Sequence, residues 1–418
     1  MSLNHVRHEK FFNRCLIALP AQAASEDSNK LAIIYFCLHG LKLLNKFNFL
    51  KEELRHYENY IWDNFYIVND EYATFRATLY FQHAGDRYDY GNLTACLFAV
   101  YILMILESDF KKMDWKKLLN YVIRCQNKNK NENENNSANS TNTSSRNSNI
   151  GGFSQSVNEI GFGEMDLRQC YIALILRKLI LDRKGVDITT DIDINLLKCF
   201  ILNRLDYNGG FCHQNLDEPH LGFTFCAVAS LKLLDYPVNE LEKTRNWLLH
   251  RQTLFPLNGK LGLGASKAGF EYDDDDVNDY KKDDAKELEK ELEEELEEED
   301  KYFHNIDVGG FNGRNNKRSD TCYSWWCTGS LFLINRSNLT LFDRDAAEKY
   351  LLENTQNSML GGFSSVPEST PDPMHTYLAL ASLSLWDHER FGLTEIEPLL
   401  VISKEVYEHY LVSSTEDL

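Results

Sequence analysis

An aspartate, a cysteine and a histidine are spaced as a metal-dependent reaction could use them: Asp320, Cys322 two residues on, and His375 a further 53 residues on. Carboxylate, thiolate and imidazole are all zinc donors, and three protein ligands leave the open fourth position of a catalytic site. The same residues equally suit a capping aspartate, a core cysteine and a histidine with its hydrogen bonds satisfied. Just before them stand Arg314, Lys317 and Arg318, and His220 opens another helical run. Positive groups converging at helix N-termini make a site for phosphate or diphosphate; a solvated basic loop fits the composition as well. Tyr323, Trp325 and Trp326 follow, either as walls of an apolar tunnel or as plain core.

The elements that carry these residues share one design. NGRNNKRSDTCYSWW (312–326), TPDPMHTYLAL (370–380), DEPHLGFTFC (217–226) and GEMDLRQCYIAL (163–174) each pass from a polar loop into an apolar helix. The tripeptide GGF recurs at 151–153, 209–211, 309–311 and 361–363. An amphipathic helix precedes it, as in 113–126 and 238–252, and a helix apolar nearly all round follows. A helix without a polar face must be covered on every side, and paired glycines suit a tight helix exit. Repeats near 50 residues therefore predict one all-α domain over residues 1–418, an α/α toroid of about six helical hairpins. The inner helices would point their N-termini to one mouth, where chemistry is expected.

Composition removes several classes of function. Of the formal charge of −19, Glu271 to Lys301 carries −13 (18 acidic residues, 5 lysines), leaving −6 elsewhere. No concentrated basic face exists for nucleic acid. The longest strongly apolar stretch, Leu93 to Leu106, has 14 residues, short of the roughly 20 that span a bilayer. MSLNHVRHEKFF lacks an apolar signal region, and the ten cysteines form no CxxC pairs. A cytoplasmic protein without a transmembrane segment is the expectation. Residues 127–149, rich in Asn and Ser, and the acidic stretch 271–301 read as solvated insertions, the second helical in part through KELEKELEEELEEE.

Several ordered motifs together resemble the β subunits of protein prenyltransferases, over most of the chain apart from the insertions. RSDTCYSWW is similar to their D-x-C-Y-S-(F/W)-W, and NGRNNK to their diphosphate-binding N-G-R-x-x-K. PDPMHTYLAL resembles the zinc-histidine segment, and HLGFTFCAVASL resembles H-G-G-x-T-F-C. HEKFFNRCLIALP and KLAIIYFCLHGLKLL are similar to the family's opening helices. The resemblance implies that Asp320, Cys322 and His375 hold one Zn²⁺ and serve catalysis. It implies a diphosphate site from His220, Leu221, Gly222, Arg314, Asn315, Asn316, Lys317, Tyr323, Ser324, Trp325 and Trp326. Ala32, Phe36, Arg168 and Met374 would line the peptide and lipid pocket, with Arg168 reading the substrate's C-terminal carboxylate. Leu221 stands where the family has glycine.

The resemblance is strongest to the geranylgeranyl type I enzyme, with its geranylgeranyl diphosphate donor. Family farnesyltransferases place a Trp at the tunnel floor where this chain has Ala32, and a small residue there leaves room for one more isoprene. The implied acceptors are CaaX proteins ending in Leu, such as Rho-type small GTPases, and the implied partner is a prenyltransferase α subunit in a heterodimer. Ser365 occupies the position of a magnesium-binding Asp or its Lys substitute, and Mg²⁺ is expected to assist through the diphosphate. Alternatives are a farnesyltransferase β subunit or a non-catalytic helical scaffold. A terpene cyclase would need its Asp-rich acid at an inner-helix mouth, whereas Asp273 to Asp276 lie in the acidic stretch.

Overall fold

Six helices of this chain have almost no polar side to give to water, and the fold follows from covering them. The computed structural model describes residues 2–19, 21–80, 82, 88–128, 149–157, 164–183, 189–254 and 305–413. Most of 127–149 and all of 271–301 lie outside them, as do the helix read into KELEKELEEELEEE and Asp273 to Asp276. In chain order the helices are α1 (His5–Ile17), α2 (Lys30–Leu43), α3 (Lys51–Phe65), α4 (Leu93–Ile105), α5 (Trp115–Cys125), α6 (Leu167–Asp182) and α7 (Ile194–Leu202). They continue as α8 (Leu221–Leu233), α9 (Glu242–Leu249), α10 (Thr321–Ile334), α11 (Arg344–Lys349, extended by a π-helical turn at Tyr350–Thr355), α12 (Pro373–Phe391) and α13 (Lys404–Ser413).

The even-numbered helices α2 to α12 pack side by side, and α12 returns to α2, so they form a closed inner ring. The odd-numbered helices α1 to α11 form an outer layer, giving the expected six hairpins. Helix α5 shows why an outer helix stays outer: Asp114 caps its start, accepting from the Lys117 N–H at 2.9 Å. Leu118, Leu119, Val122 and Cys125 are buried on one face, while Lys116 and Lys117 lie on the other. Among the described residues there are also three two-stranded ribbons: β1 (Tyr66–Val68) with β2 (Ala73–Phe75), β3 (Phe363–Ser364) with β4 (Pro371–Asp372), and β5 (Ile396–Glu397) with β6 (Ile402–Ser403).

The GGF repeats are the hinges of this ring. At Gly151, Gly209, Gly309 and Gly361 the backbone has φ between +77° and +105°. A Cβ there would lie 2.1–2.4 Å from a backbone carbonyl oxygen of the next outer helix: Leu196, Lys243, Ala346 and, closing the circle, Arg7. Only glycine fits such a contact. A glutamine beside three of these turns makes a second tie. Gln126 accepts from the Asp193 N–H at 2.7 Å and Gln252 from the Asp343 N–H at 2.9 Å, each taking hold of the residue that caps the next outer helix. Gln356 repeats the bond with the Asn4 N–H at 2.9 Å, again across the join between the ends of the chain. Among the described residues all ten cysteines are free thiols, eight of them buried.

Candidate active site

Four inner helices begin at residues singled out by their chemistry or directly beside them. Asp166, His220, Asp320 and Asp372 are the N-caps of α6, α8, α10 and α12, each accepting from a backbone N–H of its own first turn. Neighbouring starts are stitched together: the Leu93 N–H donates to Gln155 O at 2.7 Å, Leu221 to Gly313 O at 2.9 Å, and Thr321 to Ser365 O at 2.8 Å. The inner helices thus run in one direction, with their N-termini around one mouth. Their dipoles make that mouth favourable to an anion.

Asp320, Cys322 and His375 meet there across the α10–α12 boundary, their donor atoms all within 4.8 Å of one another. His375 Nε2 lies 3.3 Å from Asp320 Oδ1. Its Nδ1 lies 2.5 Å from Asp372 Oδ2. Asp372 thereby fixes the ring so that Nε2 faces the other two donors, the outer carboxylate that metal-binding histidines commonly carry. Burial opposes a charge on His375, but Asp320 and Asp372 outweigh it and hold the imidazole up to about 9. Burial, then Asp320, pushes the Cys322 thiol well above its ordinary range. An oxygen, a sulfur and a nitrogen at this separation, with the imidazole oriented from behind, fit a divalent zinc ion. A second cluster, Glu164, Asp166 and His213, is equally close. Asp166 there already holds Arg168 through Nε and Nη2 at 3.1 and 2.6 Å.

The anion side of the mouth is built from α8 and the loop before α10. The Gly222 N–H donates to His220 Nδ1 at 3.0 Å, and His220 Nε2 lies 3.0 Å from the Tyr323 hydroxyl. Gly313 makes room for that tyrosine, since a Cβ there would sit 2.2 Å from its ring. Burial first, then Arg314 and Arg168, lower His220 to about 4, so it is neutral. Burial, then Cys322 and Asp320, push Tyr323 up to about 12, so it remains a hydroxyl donor. Arg314 faces Glu218 at 3.8 Å. Lys317 makes no ion pair among the described residues, and Arg318 instead holds Asp307 at 3.0–3.1 Å.

Below the mouth lies an apolar cavity of about 370 Å³, within the ~300–1,000 Å³ usual for ligand pockets. Phe36, Arg168, His220, Gly222, Trp326 and Met374 all line it. Trp325 and Ser324 do not: both are fully buried. Leu221 is likewise buried, so its side chain turns into the core rather than toward the anion site. Asn315 and Asn316 lie on the exposed loop beside Arg314, Asn316 at φ +54°. Ala32 is placed elsewhere. It lines a second cavity of about 390 Å³ between the start of α2, residues 76–78 and 88–92, and the start of α4. Phe98 lies on the walls of both cavities and separates them. Ser365 contributes its carbonyl to Thr321.

Sequence reasoning missed Asp372 and Asp166, which orient His375 and Arg168. Their signal was present: an acidic residue before an apolar helix, with Pro373 following Asp372 at the first helical position.

Residues 3–402 match the family model of the prenyltransferase alpha-alpha toroid domain. The chain is 25% identical to the geranylgeranyl transferase type-1 subunit beta of Dictyostelium discoideum, over 96% of each chain. It is 25% identical to the subunit of the same name in Arabidopsis thaliana, over 94% of this chain and 87% of that one. Among solved structures, Candida albicans protein geranylgeranyltransferase-I complexed with GGPP superposes with a TM-score of 0.80 at 46% identity, covering 98% of both chains.

Proposed function

The chain belongs to the prenyltransferase alpha-alpha toroid family, and we propose that it is the catalytic β subunit of a protein geranylgeranyltransferase type I. On this reading it moves a geranylgeranyl group from geranylgeranyl diphosphate to the cysteine of a C-terminal CaaX sequence ending in Leu. Residues 1–418 form one catalytic unit, with 127–149 and 271–301 as insertions, and a prenyltransferase α subunit completes the enzyme. The likeness to relatives of that name along nearly the whole chain supports the assignment. One observation carries the chemistry: the Asp320, Cys322 and His375 donors and the His220–Tyr323 pair sit at inner-helix starts whose neighbours His220, Gly222 and Met374 line one apolar cavity.

Asp320, Cys322 and His375 would hold the zinc ion. When bound, zinc supplies an open coordination position that keeps a substrate thiol as thiolate at neutral pH. The remaining work belongs to the chain. The carbon-rich cavity takes the isoprenoid at about 0.8 kcal/mol per buried CH₂, leaving the diphosphate at the ring of helix N-termini. Arg314, Lys317 and the Tyr323 hydroxyl gather around it. The substrate sulfur forms a bond to C1 of the prenyl chain as the C1–O bond breaks, and the electron pair leaves with the diphosphate. Donors already in place where that charge grows lower the barrier most effectively. Arg168, pinned by Asp166, stands beside the cavity to meet the peptide's carboxylate. Mg²⁺ would assist through the diphosphate, since Ser365 supplies neither carboxylate nor ammonium.

The reading is tested by incubating this chain and an α partner with zinc, geranylgeranyl diphosphate and a fluorescent Cys-aliphatic-aliphatic-Leu peptide. A thioether product that vanishes when the peptide cysteine becomes serine is the expected result; no product despite bound zinc would overturn it.

A further inference from the structure

Cys15 near the end of α1 and Cys37 in the middle of α2 are thiols outside the candidate active site, and the first hairpin brings them together. At Gly40 a Cβ would lie 2.3 Å from Phe12 Cζ, so the missing side chain lets α2 close directly onto α1. Phe12 stands three residues before Cys15, and Gly40 three residues after Cys37. In two antiparallel helices this sets the cysteines opposite each other, about one turn further along the same contact. Their thiols are hydrogen-bonded to each other.

The pair is asymmetric. Cys37 is fully buried, whereas Cys15 is half-buried. Cys15 lines a groove of about 460 Å³ between α1, α2 and α3, together with Leu19, Ile33, Ile34, Tyr57 and Tyr60. The hydrogen bond from Cys37 lowers the Cys15 thiol against the effect of burial, and the Arg14 guanidinium adds to it. The same bond, and burial, push Cys37 well above its ordinary range. A thiol that ionises readily at the edge of a groove, backed by a protonated second thiol, divides the work as an attacking and a resolving cysteine do.

Helix α1 is also where the two ends of the chain meet. Its first half is tied across the join, the Gly362 N–H donating to His8 Nδ1 and the Asn4 N–H to Gln356 Oε1, both at 2.9 Å. Further along, Arg14 Nη2 donates to Leu360 O at 3.2 Å, an exposed bond for which water competes. A covalent bond at Cys15 would hold that second half to the inner ring.

We propose that Cys15 and Cys37 form a peroxide-sensitive dithiol site whose disulfide fastens α1 to the inner ring. The Cys15 thiolate attacks one oxygen of hydrogen peroxide. The O–O bond breaks, and the departing hydroxide takes up the proton that Cys15 released, leaving as water. The Cys37 sulfur then attacks the sulfur of the Cys15 sulfenic acid. An S–S bond forms, the S–O bond breaks, and the Cys37 proton leaves with that hydroxide as a second water. Two electrons pass from the two sulfurs to the peroxide, and a dithiol reductant restores both thiols.

The test uses the full chain, zinc-loaded and folded, treated with hydrogen peroxide. It is then blocked with N-ethylmaleimide, digested and weighed by mass spectrometry. A peptide pair joined through Cys15 and Cys37, and parted by dithiothreitol, is the expected product. In Cys37→Ser the oxidised Cys15 should persist as a sulfenic acid that dimedone captures, and in Cys15→Ser the Cys37 thiol should stay reduced. Closing the loop from Cys15 to Cys37 should raise the thermal midpoint of the oxidised protein by about 5 °C over its reduced form, the scale of one such crosslink in a chain of this size. Cys15→Ser should show no such rise. Absence of the joined pair from folded, peroxide-treated protein would overturn the site, as would a pair that forms only after denaturation. A crosslinked protein with an unchanged midpoint would overturn the fastening.

Discussion

His220 gives its only ring proton to Tyr323. Because Nδ1 accepts the Gly222 N–H at 3.0 Å, the neutral imidazole carries its hydrogen on Nε2, 3.0 Å from the tyrosine oxygen. The hydrogen of Tyr323 is then free to turn toward the mouth, beside Arg314. The histidine thus orients and polarises the phenol at the mouth.

Removing that phenol should therefore cost rate more than binding. Tyr323→Phe is expected to lower kcat about 10- to 100-fold with little change in KM for the prenyl diphosphate, in line with the loss of one preorganised donor. Steady-state kinetics decide this. A rise in KM with kcat intact would place the hydroxyl in ground-state binding instead.

Asp372 is predicted to govern metal affinity without being a ligand. Asp372→Asn removes the carboxylate behind His375 Nδ1 and should weaken zinc binding about 10- to 100-fold, the usual cost of losing such an outer partner. Cys322→Ala should abolish stoichiometric zinc. Competition against a chromogenic chelator measures both. Equal affinity in Asp372→Asn and wild type would remove Asp372 from this role.

Two buried histidines predict acid sensitivity. His8 accepts the Gly362 N–H and faces Gln356, while His39 accepts the Ser403 N–H. Burial lowers His8 to about 4 and His39 to about 3 from an ordinary 6.5. The unfolded chain binds these protons first as pH falls, so stability is full above pH 6.5 and is lost progressively toward pH 4 for His8 and pH 3 for His39. At pH 5 each histidine should withdraw about 2 kcal/mol by linkage. Urea midpoints at pH 7.5 and 5 check this, and His8→Gln should flatten the dependence.

The join between the chain ends predicts the weak point of the ring. Gly361→Ala would force a side chain at φ +77° to within 2.1 Å of Arg7 O, costing about 2–4 kcal/mol as a strained backbone site. Gly222→Ala meets only the His220 ring at 3.2 Å. It should cost less stability and more activity. Thermal melts and kinetics on both variants separate the two effects.

How much of this was legible depended on where the partners of each residue lie. The ring could be read because each inner helix is apolar all round, and because GGF marks four of its turns with a glycine that no other residue can replace. The meeting of Asp320, Cys322 and His375 could be read because motif order survives in a linear sequence. The bond from Tyr35 to Val401 could not: the two are 366 residues apart, and a hydroxyl-to-carbonyl bond leaves no side-chain pattern on the accepting turn. Ala32 illustrates the converse. Its small size was plain, but which cavity it borders depends on Phe98, one turn into a different helix.

The central claim is tested most directly by a donor competition. The zinc-loaded heterodimer, with Mg²⁺, is given a Cys-aliphatic-aliphatic-Leu peptide and equal farnesyl and geranylgeranyl diphosphate, and the products are weighed by mass spectrometry. The account predicts a C20 thioether on the peptide cysteine as the main product. A C15 adduct in its place, or no adduct from a heterodimer with zinc bound, would contradict it.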